Sequence, residues 1–214
     1  MEDRIALREE RLNALSHGLG AALSAFGLFL LLQRSVLFED LAYNVSNTIY
    51  GLSFCLLYLS STLLHCSRSK KWGQRFEVMD HAAIFIAIAG SYTPFLLITL
   101  QGTLGYTLLL LILVLALGGV RYVHLIIKRF MPWGLLMYLL MGGFMVSLIG
   151  PLSELLPSMA LVWLMFGVAF YSFGVPFFLW RRLRYHHAIW HLFVLAGSSC
   201  HFIAVYAYVM PAVL

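Results

Sequence analysis

The chain has 214 residues, of which 62% are hydrophobic and only 11% charged. A soluble domain of this size needs far more charge to cover its surface, which excludes a globular aqueous protein. The formal net charge of +5 sits in short basic groups between apolar runs, with no long basic arm, so it marks membrane topology and not a nucleic-acid surface.

The first dozen residues mix Glu, Asp and Arg and lead into no small-residue cleavage site. Residues 1–13 are therefore expected to form a short cytoplasmic segment, and the first apolar run to stay as a span. Apolar stretches follow at about 15–32, 44–66, 81–100, 104–124, 132–150, 158–180 and 188–211, joined by short connections. At 1.5 Å rise per residue, seven such helices consume most of the chain. The expected fold is all-α: a single seven-transmembrane helical bundle over residues 1–214. Pro94 and Pro176 fall inside spans three and six, where proline is tolerated and kinks the helix. Cys55, Cys66 and Cys200 make an odd count, two of them in apolar runs, and read as small packing residues and not as a disulfide framework.

The charges orient the bundle. A cytoplasmic N-terminus puts Arg4, Arg8, Arg11, Arg68, Lys70, Lys71 and Arg75 inside, with Arg121, Lys128, Arg129, Arg181, Arg182 and Arg184. Of the 14 Lys and Arg residues only Arg34 is left outside. The positive-inside rule then places the N-terminus in the cytoplasm and the C-terminus outside, and removing one span would scramble the alternation.

Few ionisable side chains lie near the bilayer, and they converge. His65 closes span two on the cytoplasmic side, Asp80 and His81 open span three there, and His187 and His191 open span seven. His187 and His191 are one turn apart on one helical face, a spacing that can chelate a metal. Ser61 and His65 repeat that spacing on span two. Three neutral imidazoles with an open position form the ligand set of catalytic zinc. Asp80 would then hold or deprotonate the metal-bound water, and Ser61 would hydrogen-bond it or orient a substrate carbonyl.

Each piece has a plainer reading. The His pair can be interfacial decoration, Asp80 can be a helix N-cap, and Ser61 can bond back to its own helix. The coincidence of all of them at one membrane face favours the metal site. Before span one, Glu10, Asn13, His17 and Gly20 lie within about 80° on one helical face. That stripe either faces the same pocket, supporting the ligands from outside, or is an interfacial lead-in. His201 lies deep in span seven, where an ionisable group marks function by default; a neutral ring bonded to a neighbouring helix is the expectation. His81, His124 and His186 read as interfacial.

These residues also carry a family resemblance. Glu10-x-x-Asn13-x-x-Ser16-His17-x-x-Gly20, Ser60-Ser61-Thr62-Leu63-Leu64-His65, Asp80-His81 running on to Gly90-Ser91-Tyr92-Thr93-Pro94, and His187-x-x-Trp190-His191 with His201-Phe202 appear in family order. Over essentially the whole chain the sequence resembles the bacterial haemolysin III-like family, which belongs with the progestin and adipoQ receptors and, more distantly, the alkaline ceramidases. Leu64 departs from the tyrosine often found there, but it is not a proposed ligand. The resemblance implies zinc held by His65, His187 and His191, with Asp80 and Ser61 near the zinc-bound water. The lack of a long N-terminal extension looks like the bacterial branch, which implies the cytoplasmic (inner) membrane.

Three functions compete. The first is a zinc-dependent hydrolase of a lipid amide or ester, with membrane lipids as partners and substrate. The second is a membrane sensor or homeostasis protein in which zinc staples spans two and seven. The third, a pore or cytolysin, fits least, because the central thirds of the spans are nearly free of charge.

Overall fold

The computed structural model describes residues 2–129 and 131–210. Among the described residues seven helices are long and apolar enough to cross a membrane, and there is no strand. They are α1 (Leu7–Phe38), α2 (Leu41–Cys66), α3 (Lys70–Leu100), α4 (Gly102–Arg129), α5 (Trp133–Ser153), α6 (Ser158–Leu179) and α7 (His186–Val209). The seven-helix bundle expected from the apolar stretches is the observed fold. The helical backbone of α1 extends back to Glu2, so the stretch before the first apolar run is a continuation of the span's own helix.

α1 lies between α2 and α7, α2 packs on α3, α3 on α4, α4 on α5, and α6 on α7, whereas α5 and α6 meet only sparsely. In lipid, where apolar surface gains little from association, small residues that let backbones approach decide such contacts. Gly20 of α1 faces the Tyr58 ring of α2, and Gly90 of α3 faces Ser53 of α2. A Cβ at either glycine would overlap its neighbour. α3 is the most enclosed helix, with 67% of its most apolar window buried against 17% for α6.

Two departures from the apolar pattern bear on the site. α3 begins at Lys70, well before residue 81, because the Ser69 side chain accepts a hydrogen bond from the Trp72 backbone N–H and caps the helix. Its first turns are polar and aromatic. Trp72 stacks on Phe76 at 5.8 Å, and the Arg75 guanidinium lies 5.0 Å from the Trp72 ring. Asp80 consequently lies within α3 and is not its N-cap.

At its far end α3 passes from α-helix to a π-helical segment at Pro94–Leu100. Pro94 has no N–H, so the Gly90 carbonyl loses its partner one turn on. The Thr93 hydroxyl, 2.8 Å from that carbonyl and 3.0 Å from the Ser46 carbonyl of α2, takes over.

Candidate metal centre

Three helices build the centre. α2 brings His65 in its last turn, α7 brings His187 and His191 in its first two turns, and α1 passes between them. Tyr185, left-handed at φ 59°, turns the chain sharply into α7. A non-glycine residue in that region costs roughly 1 kcal/mol or more, so packing must hold it there.

His65, His187 and His191 each offer a ring nitrogen, and the three nitrogens lie within 4.8 Å of one another. The ring centroids are 5.1 Å apart for His65–His187, 5.2 Å for His65–His191 and 4.5 Å for His187–His191. No two of these rings are parallel, as befits donors aimed at a common point.

The opposite edges of two of the rings are already engaged. His65 Nδ1 is 2.8 Å from the Glu10 carboxylate, and His191 Nδ1 is 3.0 Å from Ser16 Oγ and 3.3 Å from the Asn13 carbonyl. Partners of this kind fix the tautomer and ring orientation of metal-binding histidines. With Nδ1 committed to an acceptor, the lone pair resides on Nε2. His65 Nε2 is buried and makes no hydrogen bond, a costly orphan unless something binds it. The donor set therefore fits a borderline cation such as zinc.

The α1 stripe faces this centre. Glu10 bonds His65, and Asn13 is buried with its carbonyl towards His191. The His17 ring stacks on His191 at 3.4 Å with a 12° interplanar angle and meets Tyr58 edge-on at 5.1 Å. Gly20 completes the stripe by admitting the Tyr58 ring. Neither His17 nitrogen makes a hydrogen bond.

Ser61 and Asp80 sit beside the histidines, at one end of a cavity of about 160 Å³ that they line together with His187 and His191. The Ser61 hydroxyl is buried and approaches the Asp80 carboxylate without completing a hydrogen bond. It does not bond back to its own helix, as the commoner behaviour of a membrane serine would have it. His81 instead directs Nδ1 to the Glu77 carbonyl, 3.0 Å away on its own helix, and His124 is exposed. From Asp80 the cavity runs between α2, α3, α5, α6 and α7 as far as Met145 and His201, and its wall is overwhelmingly apolar.

A family model described as haemolysin-III related matches residues 5–202. The chain belongs to the haemolysin III family. It is 45% identical to "Hemolysin-3" of Bacillus cereus over 205 residues, covering 96% of this chain and 94% of that protein. It is 44% identical to the "Hemolysin-3 homolog" of Bacillus subtilis (strain 168), over 94% of this chain and 95% of the relative. The human "Monocyte to macrophage differentiation factor" shares 32% identity over 79% of this chain and 73% of its own length, which supports the link to the wider receptor superfamily.

Ser16, which enters the sequence reading only within a segment of the family resemblance, also faces the site. Its signal was its place three residues after Asn13 on the same edge of α1.

Proposed function

We propose that this haemolysin III family protein is a zinc-dependent hydrolase of a lipid amide or ester, acting at the cytoplasmic boundary of the bacterial inner membrane. The observation that carries the reading is the trio of converging imidazoles at the polar mouth of an apolar cavity, with Asp80 and Ser61 alongside. His65, His187 and His191 would hold the ion, and Glu10 and Ser16 would orient His65 and His191. When bound, such an ion supplies Lewis acidity and eases ionisation of water near neutral pH.

The remaining chemistry falls to the chain. The Asp80 carboxylate takes a proton from the attacking water, whose oxygen adds to the substrate carbonyl carbon. As the carbon–nitrogen or carbon–oxygen bond breaks, Asp80 returns that proton to the leaving amine or alkoxide. The Ser61 hydroxyl, free of intrahelical bonding, orients the carbonyl. The cavity accepts the acyl chain and keeps bulk water from the reacting carbon.

Purified protein should release fatty acid from a lipid panel that includes ceramides and phospholipids. Asp80→Ala should lose that activity, by 100-fold or more, while retaining the metal found in wild type. A fully active Asp80→Ala protein, or no product from any lipid, refutes the hydrolase reading.

A second reading has one observation in its favour. α2 and α7 both pack on α1 and have little direct backbone contact with each other, so an ion shared between them would add a tie to the Tyr58–Ser198 hydrogen bond that already joins them. Under that reading, metal content and stability fall together in His187→Ala/His191→Ala, and no variant changes any turnover.

A further inference from the structure

Along α7 the residues His187, His191, Val194, Ser198 and His201 follow at steps of four, three, four and three, a single interior stripe. The metal centre uses the first two. His201 stands ten residues beyond His191, roughly 15 Å along the helix and deep in the membrane interior. An imidazole there is expensive unless it has something to bind.

The bundle makes room for it. On α6, Gly167 lies against the ring, where a Cβ would overlap it, and Tyr171 meets the ring edge-on at 5.6 Å. Yet neither His201 nitrogen completes a hydrogen bond, although the Leu164 carbonyl of α6 approaches the ring. The expected partner on a neighbouring helix is in place, but its approach falls short of a full hydrogen bond. His201 is only 5% exposed, and what it lines is the far end of the cavity that begins at Asp80.

The other polar groups of that inner stretch are committed. Ser91 Oγ donates to the Ile88 carbonyl, and Tyr92 Oη donates to the Met141 carbonyl at 2.6 Å. Tyr171 Oη and Ser198 Oγ are bonded to each other at 2.9 Å. A lone water is a poor companion for His201, because a buried water needs several polar partners and this wall offers few.

We propose that the inner end of the cavity is a recognition subsite in which His201 hydrogen-bonds a hydroxyl or carbonyl group borne partway along a ligand's hydrocarbon chain. This rests on the cavity being the acyl-chain site. The ligand class is thus an acyl lipid oxygenated about a dozen carbons from its carbonyl end, with that end at the histidine centre. An unmodified chain of equal length fills the same cavity but leaves His201 without a partner. A site built to hydrogen-bond a polar group discriminates against the analogue lacking it.

The test uses the full metal-loaded chain in detergent micelles, with cis-parinaric acid as the fluorescent occupant and stearate or 12-hydroxystearate as competitor. The hydroxyl of 12-hydroxystearate lies about two-thirds of the way along its chain from the carboxylate. Wild type should bind 12-hydroxystearate about tenfold more tightly than stearate, the value of one buried hydrogen bond. His201→Leu and His201→Phe should abolish the preference and leave stearate affinity in place, and His201→Gln should keep part of it. Absence of the preference in wild type, its survival in His201→Leu or His201→Phe, or failure of both competitors to displace the probe overturns the proposal. The readout is binding, so it stands apart from hydrolysis. A wild type that prefers the hydroxylated chain but turns over no lipid would refute the hydrolase and leave the subsite intact.

Discussion

Glu10 offers a demanding test of how the metal centre is organised, because it lies 55 residues before the histidine it touches. Its carboxylate sits 2.8 Å from His65 Nδ1, at the short end for a charge-assisted N–H···O bond. Such a bond holds the ring in the tautomer that would present Nε2 to a bound ion, and loss of an outer partner of this kind typically costs 10–100-fold in affinity. The Glu10 side chain is 55% exposed, so solvent screens its charge and the lower part of that range applies. Glu10→Ala, which removes both charge and acceptor, should therefore weaken metal binding about 10- to 30-fold, or roughly 1.4–2 kcal/mol. Glu10→Gln keeps an acceptor oxygen for Nδ1–H and should lose less than tenfold. The assay is competition of purified wild type and both variants against a chromophoric zinc chelator of known affinity. Equal affinities for wild type and Glu10→Ala would show that the carboxylate does not govern His65. A larger loss in Gln than in Ala would show that the bond acts by some other means.

Other substitutions probe the scaffold. Gly20→Ala puts a methyl group into the space of the Tyr58 ring and should cost about 1–3 kcal/mol, read as a fall in thermal midpoint in detergent; an unchanged midpoint would mean that α1 can shift away from α2 freely. Thr93→Val removes the hydroxyl that serves the Gly90 carbonyl below Pro94 and should cost about 0.6 kcal/mol, up to about 1.7, by the same measure. A strong chelator should lower the thermal midpoint of wild type, since an ion at 100 times its Kd contributes about 2.7 kcal/mol. The His65→Ala/His187→Ala/His191→Ala protein should not respond, and an equal response would place the stabilising ion elsewhere.

Much of this architecture can be read from residue order, for identifiable reasons. Apolar runs of membrane length fix seven spans, and the one-sided Lys and Arg residues bring His65, Asp80 and His187 to one end without any knowledge of packing. Depth is set by counting residues, and counting is what a sequence permits. Rotation about the helix axis is less accessible. That His17 stacks on His191, and that Ser16 reaches its Nδ1, depends on α1 lying between α2 and α7, an arrangement that no local spacing encodes. The start of α3 was hidden for another reason. Lys70 to Met79 is too polar for an apolar window, and the cap at Ser69 outweighs hydropathy there, which turns Asp80 from an apparent N-cap into an interior residue. The cavity reaching His201 comes from the sparse meeting of α5 and α6 against α3 and α7. It is a property of the assembled bundle and of no one segment.

The division of the three imidazoles between α2 and α7 has a consequence for biosynthesis. A ribosome that has delivered the first six spans to the translocon has supplied His65 alone, and a single imidazole is a weak hold on any cation. The centre can close only when the seventh helix enters and swings its two rings across α1. An ion held by all three rings would then report that insertion is complete.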